Sequence, residues 1–270
     1  MSESRKRYLV YTGLMVFVII AFWVVENFYT PDHYSAPEGE ETPTVFPERL
    51  LPESTTGEVV HHQHFTLSYE EQYEQAEWVA YALKRDHLSN IDRKRPYFIE
   101  DPKVRTKSAD WRNYKGSGYD RGHLVPAGDR RFSEFAYKET FYTSNIAPQL
   151  NEFNSGIWND LEKQLRNWCR RYGTLYVITG GVLDPSLERI GEEDVAVPDY
   201  YYKIIARGSG EELRVLCFLM SQENSASPLV RYLVSIDDLE SLTGIDFFPG
   251  LQDNLENRVE AQVEPSAWKF

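Results

Sequence analysis

Cysteine is scarce in this chain: Cys169 and Cys217 are the only two among 270 residues. So few exclude a disulfide framework and any metal site built on thiolates. Cys169 falls in an expected helix and Cys217 in the apolar run 215–220, so two separately buried thiols are expected. A bridge between them stays open for an oxidising compartment. Positive charge is scarce as well. The net charge of −13 is the wrong sign for a protein that coats itself in nucleic acid. No internal repeat occurs. Gly180-Gly181 lacks the further glycines and the Lys-Ser/Thr of a phosphate loop, and reads as a turn. Residues 8–25 lack both charge and proline.

That last absence defines the first element. Eighteen residues in a helix rise about 27 Å, close to the hydrocarbon thickness of a bilayer. Arg5-Lys6-Arg7 precedes the stretch and Glu26 follows it, which orients the N-terminus to the cytoplasm. A cleaved signal peptide wants a small-x-small site soon after its apolar core, and Glu26 to Pro31 offers none. The expectation is therefore an uncleaved, single-pass anchor in the membrane: 1–7 cytoplasmic, 8–25 in the lipid bilayer, the rest periplasmic or extracellular. A cleaved, secreted form is the rival. Residues 26–58 read as an acidic, proline-rich tether, with five prolines and seven acids between Pro31 and Glu58. The folded domain is expected over 59–250, followed by an acidic tail over 251–270.

Aromatic residues are plentiful, with eighteen Tyr, fourteen Phe and six Trp, enough for a substantial core. A short strand is expected over 59–67. Ser68 and Glu71 form a capping box, and Tyr73, Ala76, Val79, Ala80 and Leu83 continue as a helical stripe to about Leu88. A second helix starts at Ser133 and carries Phe135 and Tyr137. A third runs from about Gly156 to Arg171 with Ile157, Leu161, Leu165 and Trp168 on one face, and Gly173 ends it. Strands are expected over 175–179, 200–206 and 213–220, and a short helix over 237–242. Helices and strands mix without regular βαβ alternation, which is an α+β pattern.

Charge is unevenly spread. From Lys84 to Arg131 there are thirteen Lys or Arg against seven Asp or Glu, a local +6, so the remainder carries −19. Within that basic strip lies Asp120-Arg121-Gly122-His123. Asn154 follows 31 residues after His123, and Glu162 eight residues later. An imidazole can take a proton near neutral pH, a guanidinium pairs with phosphate oxygens, and amide and carboxylate oxygens suit a hard cation such as Mg²⁺. On a helix, Asn154 and Glu162 stand about two turns apart on nearly one face, with Trp158 between them to brace the helix against the strand of His123. Taken alone, that helix also reads as an ordinary capped amphipathic one. His61-His62-Gln63-His64 puts His62 and His64 on one strand face, but no Cys or acidic partner stands at zinc-ligand spacing, so a solvent-facing edge is expected.

Together, Asp120 to His123, Ser144-Asn145-Ile146-Ala147-Pro148-Gln149 and Asn154 to Glu162 resemble the DNA/RNA non-specific endonucleases, the ββα-metal (His-Me finger) nucleases. The likeness covers about residues 65–248. It implies a ββα-metal core with a mixed or antiparallel sheet, and DNA and RNA as substrates. It also implies Mg²⁺, and leaves open whether Mn²⁺ can replace it. By resemblance His123 is the general base, Asn154 the direct metal ligand and Glu162 a ligand through water. Arg121 steadies charge on the phosphorane, while Asn145 and Asp120 order the site. Arg166 contacts substrate or pairs with Glu162. Arg130 and Arg131 are candidates to grip the flanking backbone, as is the basic stretch Lys103 to Lys107. Two other readings remain: a membrane-tethered nucleic-acid-binding protein that has lost catalysis, and a phosphodiesterase restricted to one nucleic-acid form. Oligomeric state is open, a homodimer included.

Overall fold

The computed structural model describes residues 3–28, 31–36, 43, 45–223 and 226–270. Helix α1 (Glu3–Phe28) contains the apolar stretch and is long and apolar enough to cross a membrane. Residues 29–30, 37–42 and 44 of the expected tether, and 1–2 before it, lie outside the described residues. The described parts are not a free tether throughout. Tyr34, Phe46 and Leu50 are buried, and the Tyr34 hydroxyl donates to the Tyr97 carbonyl.

Eleven strands follow among the described residues: β1 (Val59–His61), β2 (Thr66–Glu70), β3 (Gln75–Leu83), β4 (Asp120–His123), β5 (Ile146–Gln149), β6 (Leu175–Gly181), β7 (Glu188–Ile190), β8 (Val195–Val197), β9 (Tyr200–Arg207), β10 (Arg214–Ser221) and β11 (Leu233–Val234). Seven of them form one antiparallel sheet in the order β1-β2-β3-β6-β9-β10-β11; β4 pairs with β5 and β7 with β8. The helices after α1 are α2 (Glu134–Glu139), α3 (Asn151–Phe153), α4 (Asn159–Tyr172), α5 (Ile236–Thr243) and α6 (Asp253–Ala261). The α+β expectation holds.

Both faces of the large sheet are covered, which explains its sequence. Along β9, Tyr201 and Ile205 enter one core while Tyr202, Ile204 and Ala206 enter the other. The first core is closed by Leu161, Leu165 and Trp168 of α4, spaced as a helical stripe. The second is closed by Ile236 and Leu239 of α5, Phe247 and Phe248 of the loop after it, and Val259 of α6. A third cluster, with Phe98, Phe141, Tyr142 and Ile146, packs around β4 and β5. Cys169 lies in the first core and Cys217 in the second; both thiols are free.

Several local expectations give way. The helix expected from Ser68 to Leu88 is the β2–β3 hairpin, turned by Glu74 in the left-handed region at φ 54°. Every residue of β3 is buried, so a strand covered on both faces presents an apolar run in which a helical stripe can be found by accident. The Ser68 hydroxyl donates to Glu77 Oε1 at 2.6 Å instead of capping a helix. Gly180-Gly181 is no turn but the end of β6, pressed so close that a Cβ on Gly180 would meet the Glu77 carbonyl at 2.3 Å. The packed body also passes both expected domain bounds. Trp78 Nε1 donates to the Glu53 carbonyl at 2.8 Å, and buried Trp268 packs on Trp168 with centroids 5.0 Å apart, so 251–270 is not a bare tail.

Candidate active site

Strand β4 brings Asp120 to His123 against β5, with His123 opposite Ile146 and Arg121 opposite Pro148. Where this two-stranded ribbon meets the large sheet, Pro148 O accepts from Tyr201 Oη at 2.6 Å and from Gln222 Nε2 at 3.2 Å. Within the ribbon Gly122 makes room for Gln149 of β5, since a Cβ there would meet its Oε1 at 2.2 Å. The chain then turns into α3, passes through a π-helical turn over Asn154–Trp158, and continues as α4. The helical segment therefore begins before the expected Gly156, and Gly156 itself is non-helical at φ −95°, ψ −117°. Gly173 ends α4, as expected. Ribbon and helix together make a ββα unit.

The unit closes around a cleft of about 150 Å³ lined by His123, Pro126, Ala127, Gly128, Asn154, Asn159 and Glu162. His123 is wedged between Phe141, edge-on at 4.9 Å, and Phe98 at 5.6 Å, and its Nε2 is buried without a hydrogen-bonding partner. Burial, with the Arg95 charge second, pushes the imidazole down to about 3, so it is neutral at working pH. Arg95 and Arg121 lie over the Phe98 ring at 5.3 and 4.8 Å, placing two guanidinium groups beside the imidazole.

Asn154 is oriented from below. Asp120 Oδ2 accepts from Asn154 Nδ2 at 3.0 Å and from Asn151 Nδ2 at 2.9 Å. The amide nitrogen is thereby used, and the amide oxygen is the atom left to the cleft. Glu162 sits across the same cleft, where burial pushes its carboxyl up against the opposing pull of Lys203 and Arg166. Arg166 donates to Glu162 Oε2 at 3.2 Å and to Asp129 Oδ1 at 2.6 Å. An amide oxygen and a carboxylate, with no thiol or second imidazole, form a donor set for a hard cation.

Asn145 lies behind the site rather than in it. Its Oδ1 accepts from Val125 N–H at 2.9 Å and its Nδ2 donates to Val125 O and Thr140 O, locking the chain just after His123. Arg130 is fully buried, with its guanidinium donating to the carbonyls of Asp129, His64 and Ala82, so it is unavailable to substrate. Arg131 lines a neighbouring 270 Å³ cleft with Arg166 and Arg170. Lys103 Nζ donates to the His61 carbonyl at 2.8 Å, and Lys107 pairs with Glu100 at 3.1 Å. Trp158 packs on Tyr201 of β9, with ring centroids 5.8 Å apart. His62 and His64 are buried, not a solvent-facing edge; His62 Nε2 meets Asp101 Oδ2 at 2.7 Å.

Lys203 and Phe98 were missed in the sequence. Lys203 Nζ lies 4.4 Å over the Trp158 ring, buried and without a hydrogen-bonding partner. Burial pushes its ammonium down and Glu162 partly restores it. Its signal was a lone lysine inside the otherwise apolar run Tyr200 to Ala206.

Comparison with known proteins agrees with this geometry. A family model described as DNA/RNA non-specific endonuclease matches residues 45–254. Mitochondrial endonuclease G of Homo sapiens is 37% identical over 205 residues, covering 69% of this chain and 68% of that protein. Mitochondrial nuclease EXOG of Xenopus laevis is 37% identical over 202 residues, covering 68% of this chain but only 56% of its own length. Nuclease C1 of Cunninghamella echinulata var. echinulata is 31% identical over 217 residues, 73% of this chain and 85% of that protein. A chain in the crystal structure of the EndoG/EndoGI complex, described for the mechanism of EndoG inhibition, superposes with a TM-score of 0.66 at 30% identity over 72% of this chain and 86% of its own. With its ββα unit and its sequence both in agreement, this chain belongs to the DNA/RNA non-specific endonuclease family.

Proposed function

We propose that the chain is a membrane-anchored, Mg²⁺-dependent endonuclease that hydrolyses phosphodiester bonds in DNA and RNA. One observation carries the reading: His123 of the ribbon lines a single cleft with Asn154 and Glu162 of the helical segment, which begins about 30 residues further along the chain. With Nε2 sealed among aromatic rings, the other imidazole nitrogen takes the proton from the attacking water as its oxygen bonds to phosphorus. An imidazole so desolvated is a weak base alone; phosphate charge entering the cleft shifts it back up. Arg121 steadies the charge that builds on the phosphorane. Asn154 and Glu162 would hold the cation, the asparagine directly and the glutamate through water, and Asp120 fixes the asparagine. Bound there, Mg²⁺ would supply Lewis acidity to the phosphodiester as the 3′-oxygen leaves. Phosphate contacts carry no base identity, so sequence preference is weak.

Helix α1 supports the anchor, with Arg5, Lys6 and Arg7 on the cytoplasmic side and the nuclease body beyond the membrane. Protease accessibility of the body in intact cells tests that side. The activity test uses the full chain in detergent with plasmid DNA and an RNA, in Mg²⁺ or EDTA. Cleavage is expected with Mg²⁺ and, in its place, Mn²⁺. It should fall about 10²–10⁴-fold in His123→Ala, and strongly in Asn154→Ala, with the melting temperature kept. A wild-type rate in His123→Ala would sink the assignment. Binding without cleavage points to lapsed catalysis, and cleavage of one substrate to a restricted phosphodiesterase.

A further inference from the structure

Five carboxylates converge where α5, the following loop and α6 meet, on the face of the sheet away from α4 and the cleft. Oxygens of Asp237, Glu240 and Glu260 lie within 4.8 Å of one another, as do those of Asp246, Glu256 and Glu260. Glu260 is the member common to both groups. It is 8% exposed, and its Oε1 is buried without a hydrogen-bonding partner. Nearby arginines are engaged elsewhere: Arg258 pairs with Glu211 at 2.9 Å and Arg214 with Glu264 at 3.8 Å. Among the described residues, no lysine or arginine pairs with any of the five. Glu260 also stands in the last turn of α6, where the helix dipole disfavours an anion.

A buried, unpaired carboxylate surrounded by four others is costly unless something positive joins it. Burial first, then Glu240, Glu256, Asp237 and Asp246, push its carboxyl up to about 8. The spacing suits a cation: oxygens bound at roughly 2.3–2.6 Å on opposite sides of an ion stand about 5 Å apart. The donors are all carboxylates, mono- or bidentate, on two helices and a loop. Ca²⁺ accepts such a crowded, irregular shell, whereas Mg²⁺ demands near-octahedral geometry and keeps its waters.

We propose that Glu260, together with Asp237, Glu240, Asp246 and Glu256, binds a Ca²⁺ ion that clamps α5 to α6, separate from the nuclease centre. The ion would tie down residues that pass the second core, since Val259 beside Glu260 is buried there. The site makes no use of His123 or Asn154, so it stands or falls independently of the proposed nuclease activity.

The test is thermal unfolding of the full chain in detergent, carrying Asn154→Ala so that the nuclease ligand does not contribute. Addition of Ca²⁺ to the EDTA-treated protein, at about 100 times the dissociation constant, should raise the melting temperature by about 5 °C or more. The shift should disappear in Glu260→Gln and shrink in Asp246→Asn. Calorimetric titration with Ca²⁺ should show the same loss of binding. Both variants are near-isosteric and remove repulsion, so both should fold in EDTA; Glu260→Gln alone should cleave DNA as the wild type does. A Ca²⁺ shift that survives Glu260→Gln overturns the site. So does the absence of any shift, which would mean that Glu260 is simply protonated. An equal shift with Mg²⁺ at the same concentration overturns the choice of ion.

Discussion

Histidine shows how far one residue type can be read. His62 and His123 are both wrapped in aromatic rings, yet their surroundings drive them in opposite directions. His62 faces Asp101 at 2.7 Å and Glu139 at 3.6 Å, and these raise its affinity for a proton although burial opposes them. Its contribution to stability is full below about pH 6.5 and fades as pH rises through its folded value. His87 stacks on Phe132 at 4.1 Å, and burial followed by the Arg130 charge pushes it down to about 4. The unfolded chain therefore takes up a proton before the folded one does. Stability linked to His87 is present above about pH 6.5 and lost as pH falls toward 4. Between pH 7 and pH 5 His87→Phe, which keeps the stacking, should lose less of its urea midpoint than the wild type does. An equal loss in the variant would place the acid sensitivity elsewhere.

At the level of elements, the site depends on how the ribbon meets the helix. The π-helical turn at Asn154–Trp158 is the irregularity that lets Asn154 reach back to Asp120 while Glu162, on α4, still lines the cleft. Asp120 is the hinge of that junction, since one carboxylate oxygen holds two amides. Asp120→Asn would keep the shape but replace an acceptor-only group by one that also donates. Cleavage measured against Mg²⁺ concentration should then need about 10–100-fold more metal for half-maximal rate. A normal metal requirement would show that the junction positions Asn154 without Asp120. The hairpin β2–β3 carries the opposite lesson. Its stripe satisfied the helical period, but a strand buried on both faces has no polar side to betray its period of two.

The whole molecule is knitted from its ends. Leu50 and Phe46 plug the second core, Glu53 accepts from Trp78, and Thr55 N–H donates to Glu77 Oε1 at 3.0 Å. At the other end, Trp168 Nε1 donates to the Lys269 carbonyl at 2.8 Å. A version starting at residue 59 should therefore be less stable than one starting at 45. Losing the buried Leu50 side chain alone costs about 2–5 kcal/mol. Urea unfolding of the two versions checks this, and equal midpoints would show that the segment is dispensable. The tether expected over 26–58 is correspondingly shortened: Tyr34 packs against Tyr142 only six residues past the end of α1.

The sequence alone determined what depends on local order and on chemistry that declares itself. The apolar stretch 8–25, the stripe of α4 with its stop at Gly173, the Ser133 cap of α2, and the Asp120 to His123, Asn154 and Glu162 motifs were all legible there. Their physical causes, hydropathy, period and side-chain type, act over a few residues. Tertiary structure decided what depends on long-range burial. It turned an expected helix into two strands, hid Arg130 and the His62–His64 edge, and set Lys203 over the Trp158 ring. It also gathered acids from α5, α6 and the loop between them into two triads that share Glu260. Whether a charge faces water, a partner or a core is settled by segments distant along the chain, and only the packed sheet brings those together.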